Sequence, residues 1–224
     1  MTNRGFQEAD HPSDWVDALD IIRPYIFRVE TPSGSGTGFF LTFTTDPNGI
    51  GIATALHVVR ESHEWDGPIR LHHLESGVTR VVRPPDRAMK VFSERDLAFI
   101  VVPGSDFPVP TTPLELATVK ENDYLVQGVS IGWCGFPCVA LGHLCFFSGH
   151  ISAYVEEAQS YIVDGVAING VSGAPAFVKK QDGRGVQLCG VVTAYIPNRT
   201  TGETLPGVCW VQNISPYARD YIPF

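Results

Sequence analysis

Residues Ile168–Phe177 read INGVSGAPAF. Ser172 stands between small residues, with Pro175 three positions on and apolar residues on both sides. Two readings compete. Gly tolerates positive φ and Ser bonds its own backbone, so the cluster suits an ordinary turn. It equally suits a nucleophilic hydroxyl held in a sharp bend. The surrounding sequence separates the two and sets the fold class. All seven histidines (His11, His57, His63, His72, His73, His143, His150) precede Ser172. An α/β-hydrolase places its catalytic histidine after the serine and runs strand, turn, helix. Here Ser172 leads through Pro175 into strand-like Ala-Phe-Val. If Ser172 is the nucleophile, that fold is excluded, and the order left for a barrel fold is His, Asp, Ser.

Outward from this turn, the chain is mostly strand-like. Apolar, β-branched and aromatic runs alternate with Gly, Pro, Asn and Asp clusters. The first set of predicted strands covers Tyr25–Glu30, Gly38–Thr44, Gly51–Thr54, Ile69–His73, Val78–Arg83, Ala88–Phe92 and Leu97–Val102. The second covers Leu114–Val119, Tyr124–Ile131, Cys145–Tyr154, Tyr161–Val163, Ala174–Lys179, Val186–Tyr195 and Gly207–Gln212. Between them PGSDFPVPTTP, residues 103–113, is the best linker candidate. Helical signals are confined to the ends. Pro12-Ser13-Asp14 caps a short predicted helix over Trp15–Ile22, and Pro216 starts another over Ser215–Tyr221. Two runs of strands around a proline-rich joint suit two antiparallel barrels or sandwiches.

Composition narrows the function classes. The chain has 224 residues, 44% hydrophobic and 18% charged, with a formal net charge of -8. That supports one large or two small cores. No basic stripe marks a nucleic-acid surface, the longest basic run being Lys179-Lys180. The polar N-terminus, MTNRGFQEADHPSDW, lacks the pattern of a signal peptide, and no apolar run reaches the roughly 20 residues of a membrane helix. The expectation is a cytoplasmic protein with neither nucleic-acid nor membrane partners. The five cysteines (Cys134, Cys138, Cys145, Cys189, Cys209) are odd in number, which argues against a disulfide framework. Cys134 and Cys138 with His143 could form half a metal site, but no second ligand pair has zinc-like spacing. No metal or cofactor is expected.

His57 ends the apolar run GIGIATALHVV, which reads as a buried strand delivering an imidazole at its end. A core histidine satisfied by a backbone carbonyl fits the same pattern. His72 and His73 point to opposite faces of a strand, so one at most could serve a site. Asp96 opens Asp-Leu-Ala-Phe-Ile-Val-Val. It is either an edge marker or the orienter that holds a histidine in one tautomer. Its place between His57 and Ser172 favours it among 24 acids. Gly170 and Ser172, spaced i and i+2, can turn both backbone N–H groups toward one point, as an oxyanion hole requires. Gly173 permits close approach of the backbone to a substrate.

The blocks TALHVV, DLAFIVV and INGVSGAPAF resemble the His, Asp and Ser motifs of trypsin-like serine peptidases, most of all the bacterial HtrA/Deg branch. TPSGSGTGFFLT, SGHISA, IVDGVAING, GVVTAYIP and LPGVCWVQNI resemble further blocks of that branch in the same order, so the likeness runs from about Tyr25 to Ile214. The resemblance implies an all-β fold of two six-stranded antiparallel β-barrels with a short C-terminal helix. The segments implied are an extension over 1–22, a barrel over 23–104, a linker over 105–113, a second barrel over 114–213 and a terminal helix over 214–224. It implies a serine endopeptidase in which His57 is general base then acid, Asp96 orients it, and Ser172 attacks. The N–H groups of Gly170 and Ser172 form the oxyanion hole. Thr193 supports the triad from the substrate strand. Val166, Ala167 and Ile168 form one wall of the specificity pocket, and Val192, Thr193, Ala194 and Tyr195 the other. With no acid at the pocket base, small or medium apolar side chains are the expected preference.

The sequence departs from that pattern in places. Asn169 leads directly into Gly170, so the loop is one residue shorter than in HtrA relatives, and Ala174 replaces a second glycine. Val171 stands where zymogen-activated relatives carry an aspartate, which argues against activation by N-terminal cleavage. No PDZ module is expected after Phe224. The expected partner is a polypeptide substrate. Activity is expected to be gated by a regulatory protein, a homo-oligomer or a loop rearrangement, with a role in stress or antiviral defence. The rival reading is a catalytically latent or inactive trypsin-like fold that serves as a protein-binding module.

Overall fold

A computed structural model describes residues 15–41, 49–103, 107–108, 110–117, 124–180, 185–197 and 204–215, the side chains of 194–197 and 204–206 excepted. The first sheet contains β1 (Ile26–Thr31), β2 (Gly34–Phe40), β3 (Gly49–Ala55), β4 (Ile69–His73), β5 (Thr79–Val82), β6 (Ala88–Phe92) and β7 (Leu97–Pro103). Its order is β5-β4-β1-β2-β3-β7-β6, every pairing antiparallel. The second contains β8 (Ser130–Gly135), β9 (Cys145–Val155), β10 (Ser160–Val163), β11 (Pro175–Lys179), β12 (Val186–Pro197) and β13 (Thr204–Asn213). It closes as a barrel in the order β10-β13-β12-β11-β8-β9. The protein is therefore all-β, with a closed six-stranded barrel beside a curled sheet.

The first sheet holds seven strands and stays open rather than forming a six-stranded closed barrel, because β5 and β6 end it without pairing. The segment between them carries Pro84 and Pro85 in a 3₁₀ turn, and proline has no N–H to offer a ladder. The Arg87 guanidinium fastens that corner instead, donating to the carbonyls of Val82 (2.9 Å) and Ser62 (2.7 Å).

Two short helices complete the described fold. Helix α1 (Val16–Ile22) lies where the N-terminal pattern predicts it, with Ile22 fully buried. Helix α2 (Leu56–Glu64) corrects the expectation that helices are confined to the ends. Its apolar side, Leu56, Val58 and Val59, runs on from β3 without a break, so strand and helix merge in the sequence. Of the predicted strand Leu114–Val119, residues 118–119 lie outside the described residues, and the described part forms a single parallel bridge, Leu116 to Leu188, in place of a strand. The predicted strand Tyr124–Ile131 is displaced to β8. The proline-rich joint also contributes to the core, since Phe107 is buried edge-on against Phe27 at 5.1 Å. Of the predicted C-terminal helix, only Ser215 lies among the described residues.

The core is aromatic and β-branched. Phe27, Phe39, Phe40, Ile52, Leu71 and Leu97 are fully buried in one cluster that also takes in Cys134, Phe177 and Leu188 from the closed barrel. Trp133, Tyr161, Ile131 and Val211 anchor a second cluster inside that barrel. The first cluster spans both sheets, so their relative placement is held by shared apolar burial.

Candidate active site

Strand register brings His57 and Asp96 together. In the β3–β7 ladder Ala55 lies opposite Leu97, so the residues just beyond it are forced into contact. The Leu56 N–H donates to the Asp96 carbonyl at 2.9 Å, and the His57 N–H donates to Asp96 Oδ1 at 2.9 Å. His57 Nδ1 lies 2.6 Å from Asp96 Oδ2. Asp96 adopts a left-handed backbone conformation (φ 51°, ψ 39°), which aspartate tolerates better than most residues. It therefore accepts from the first turn of α2, where exposed helix N–H groups need acceptors, while also orienting the imidazole. Arg60 Nη2 stands 3.8 Å from Asp96 Oδ1. The His57 side chain is 43% exposed, so the ring is open to a ligand. The structure thus answers which of the two readings of His57 holds: it is not a core histidine. His73 is the core histidine, buried between Phe27 and Phe40, with Nδ1 on Ser76 Oγ and Nε2 on the Pro24 carbonyl, each at 2.8 Å.

The Ser172 turn comes from the closed barrel. Two consecutive tight turns build it: Val171 N–H donates to the Ile168 carbonyl and Ala174 N–H to the Val171 carbonyl, each at 3.0 Å. Gly170 (φ +94°) and Gly173 (φ +86°) occupy the third position of each, where positive φ is required. A side chain at either would collide: a Cβ on Gly170 would lie 2.2 Å from the Phe136 carbonyl oxygen, and one on Gly173 would lie 2.0 Å from that of Thr37. Between them, Val171 is fully buried in the second apolar cluster, whereas Ser172 is half-buried.

Each carbonyl from Asn169 to Ser172 is tied down. The Asn169 carbonyl accepts from Cys138 N–H (2.8 Å), that of Gly170 from Thr37 Oγ1 (2.9 Å), that of Val171 from Ala174 N–H (3.0 Å), and that of Ser172 from Thr37 N–H (2.8 Å). Val171 N–H and Gly173 N–H are also used, the latter on the Val192 carbonyl at 2.7 Å. Among the described residues, the Gly170 and Ser172 N–H groups have no acceptor. A trans peptide points its N–H opposite to its C=O. The peptides carrying these two donors are thus fixed through their carbonyls and open at their N–H ends. Among the described residues, the Ser172 hydroxyl makes no hydrogen bond, to His57 or to any other group.

The predicted pocket walls fall on two segments flanking this turn. Val166, Ala167 and Ile168 lie in the run leading into it, with the Val166 carbonyl accepting from Trp133 Nε1 at 3.3 Å. Val192, Thr193, Ala194 and Tyr195 lie on β12. Val192 and Thr193 are buried, and Val192 N–H donates to the Ala174 carbonyl at 2.9 Å. The side chains of Ala194 and Tyr195 lie outside the described residues. Among the described residues no group of three His, Cys, Asp or Glu side chains is arranged to hold a metal ion. All five cysteines are free thiols, and burial pushes those of Cys134 and Cys209 up to about 12. No helix among the described residues is long and apolar enough to cross a membrane.

Sequence reasoning missed three residues. Thr37, a lone threonine in GSGTG, reaches across from the first sheet. Cys138 donates its N–H to the turn. Arg60 is legible only once α2 is known, being one helical turn from His57.

No protein-family model and no curated protein sequence matches the chain. Solved structures do. The chain is similar to Deg5 with a TM-score of 0.66 at 18% identity, covering 95% of this chain and 97% of that one. It is similar to the Rv3671c protease of M. tuberculosis H37Rv in its inactive form, with a TM-score of 0.62 at 16% identity over 96% and 99% of the two chains. The Ser343Ala mutant of that protein gives 0.61 at 16% over 94% and 91%. The fold is that of the trypsin-like serine proteases.

Proposed function

We propose that this chain is a serine endopeptidase that cleaves peptide bonds through an acyl-enzyme, with His57, Asp96 and Ser172 as its triad. The observation that carries the reading is the double hold of Asp96 on His57, through both the backbone N–H and ring Nδ1. That hold leaves Nε2 on the far side of the ring as the basic nitrogen. In the first step Ser172 Oγ gives its proton to Nε2 and bonds to the scissile carbonyl carbon. The C–N bond then breaks, and the imidazolium passes that proton to the departing amine. Water, deprotonated by the same nitrogen, releases the acid and restores Ser172. The Gly170 and Ser172 N–H groups receive the oxyanion, each such donor being worth roughly 2.7–4 kcal/mol in the transition state.

Val166, Ala167, Ile168, Val192 and Thr193 line the pocket for the residue before the cut, which selects small or medium apolar side chains. A positional peptide library with an Arg or Lys optimum refutes that preference. Purified chain is expected to react with a fluorophosphonate probe and Ser172→Ala to be silent with its fold intact; equal labelling of both overturns the assignment. One observation favours a latent form as second reading: no hydrogen bond joins Ser172 to His57 in the described structure. Control by a partner protein or a homo-oligomer fits that form. Strong casein cleavage by the purified monomer counts against it.

A further inference from the structure

Thr37 uses every polar atom it has at the junction of the two sheets. Its N–H donates to the Ser172 carbonyl at 2.8 Å, and its hydroxyl donates to the Gly170 carbonyl at 2.9 Å. The same hydroxyl accepts the Phe136 N–H at 3.1 Å, and its carbonyl accepts the Thr54 hydroxyl at 2.7 Å. The side chain is fully buried. One residue of β2 thus grips the turn on both sides of Val171 and also holds the start of the β8–β9 connection. Two residues further along that connection, Cys138 N–H fixes the Asn169 carbonyl, which orients the Gly170 N–H. The hydroxyl sits at a crowded point: a Cβ on Gly135 would lie 2.6 Å from Thr37 Oγ1.

From this geometry, and resting on the endopeptidase reading above, we infer that Thr37 is a positioning residue whose hydroxyl holds the Gly170–Ser172 turn in the shape that receives the oxyanion. Without the hydroxyl, two buried backbone groups, the Gly170 carbonyl and the Phe136 N–H, lose their partner. A buried polar group left unpaired is costly, so the turn relaxes to find another. The Phe136 N–H begins the connection from which Cys138 N–H holds the Asn169 carbonyl, so loss of its Thr37 anchor frees the Asn169–Gly170 peptide to flip, and that flip turns the Gly170 N–H away. Ground-state binding in the pocket does not depend on that N–H, whereas transition-state stabilisation does.

The test compares purified full-length wild type, Thr37→Ser and Thr37→Val. It uses fluorophosphonate labelling rates, steady-state cleavage of an alanyl p-nitroanilide peptide, and thermal melting. Thr37→Ser keeps the donor and is expected to stay within about threefold of wild type, while Thr37→Val loses about 10- to 100-fold in labelling rate and kcat with KM unchanged. If Thr37→Val does not fold, Thr37→Cys replaces it, a weak S–H donor of similar size, with the same split expected. A folded Thr37→Val with wild-type kcat overturns the inference, as does a loss confined to KM, or a Thr37→Ser as impaired as Thr37→Val. Wild type that neither labels nor cleaves overturns the endopeptidase reading itself and this inference with it.

Discussion

Asp96 holds His57 by two bonds at once, Oδ1 on the backbone N–H at 2.9 Å and Oδ2 beside ring Nδ1 at 2.6 Å. The backbone bond fixes where the ring is attached, and the side-chain bond fixes how it is turned. This economy follows from placing the histidine in the first helical turn, where spare N–H groups and the positive end of the helix dipole both favour a carboxylate.

Asp96→Asn separates the two roles. The amide oxygen still accepts from the His57 backbone, but the side chain is uncharged and can present N–H to the ring, favouring the wrong tautomer. The expected result is a loss of about 10⁴ in kcat near neutral pH with little change in melting temperature. Steady-state kinetics and calorimetry on the same preparation check it. A mutant within tenfold of wild type removes Asp96 from the mechanism.

Gly173→Ala tests the turn through stability. The position needs φ +86°, and a Cβ there would meet the Thr37 carbonyl oxygen at 2.0 Å and Thr54 Oγ1 at 2.3 Å. Backbone strain together with the clash is expected to cost on the order of 3 kcal/mol, lowering the melting temperature by about 10 °C in a domain of this size. A melting curve that overlays wild type shows that the turn has another conformation available.

Alkaline pH is expected to weaken the fold. Burial raises the thiols of Cys134 and Cys209 from 9.0 to about 12, and it also raises the phenols of Tyr25 and Tyr154 above 10.0. A raised native value means the folded state holds the proton more tightly than the unfolded one. The stabilisation is complete below the unfolded value and is lost as pH rises through the native value. Melting temperature is therefore expected to fall steadily between about pH 9 and 12, and Cys134→Ala to flatten part of that slope. A slope the same in Cys134→Ala as in wild type assigns the loss to other groups.

Much of the fold was legible because local pattern and tertiary role agree. Strands β4 and β6 match their predicted bounds, and β7 starts where Asp96 ends the preceding turn. Two elements were not legible. Leu56–Glu64 continues the apolar run of β3, so only packing against β1 and β7 shows that it coils. Of Ser130–Gly135, only Ser130 and Ile131 fall in the predicted strand Tyr124–Ile131, since Gly132 and Gly135 are poor strand formers. They sit there because a Cβ at Gly132 would meet Phe146 and Trp15 at 2.9 Å, and one at Gly135 would meet Thr37. Among the described residues of the predicted strand Leu114–Val119 (114–117), only Leu116 bridges, to Leu188, because β13 takes the same side of β12 from Gly190 onward.

The candidate site divides in the same way. His57, Asp96 and Ser172 could be named from residue type, order and neighbouring blocks, because chemistry restricts which side chains can fill those places and chain order restricts the folds that can join them. Thr37 could not be named; the Gly170 and Ser172 N–H groups could, from their spacing and the resemblance, but not that both lack an acceptor among the described residues. A hydrogen bond between residues 133 positions apart has no trace in local sequence, since it depends on how the two sheets come to rest against each other. The sequence determined the all-β architecture and the three candidate groups. Tertiary structure decided which histidine is held by an aspartate through both ring and backbone and which is walled in by phenylalanines. It also decided which backbone N–H groups are left free, because both depend on what long-range packing has already used.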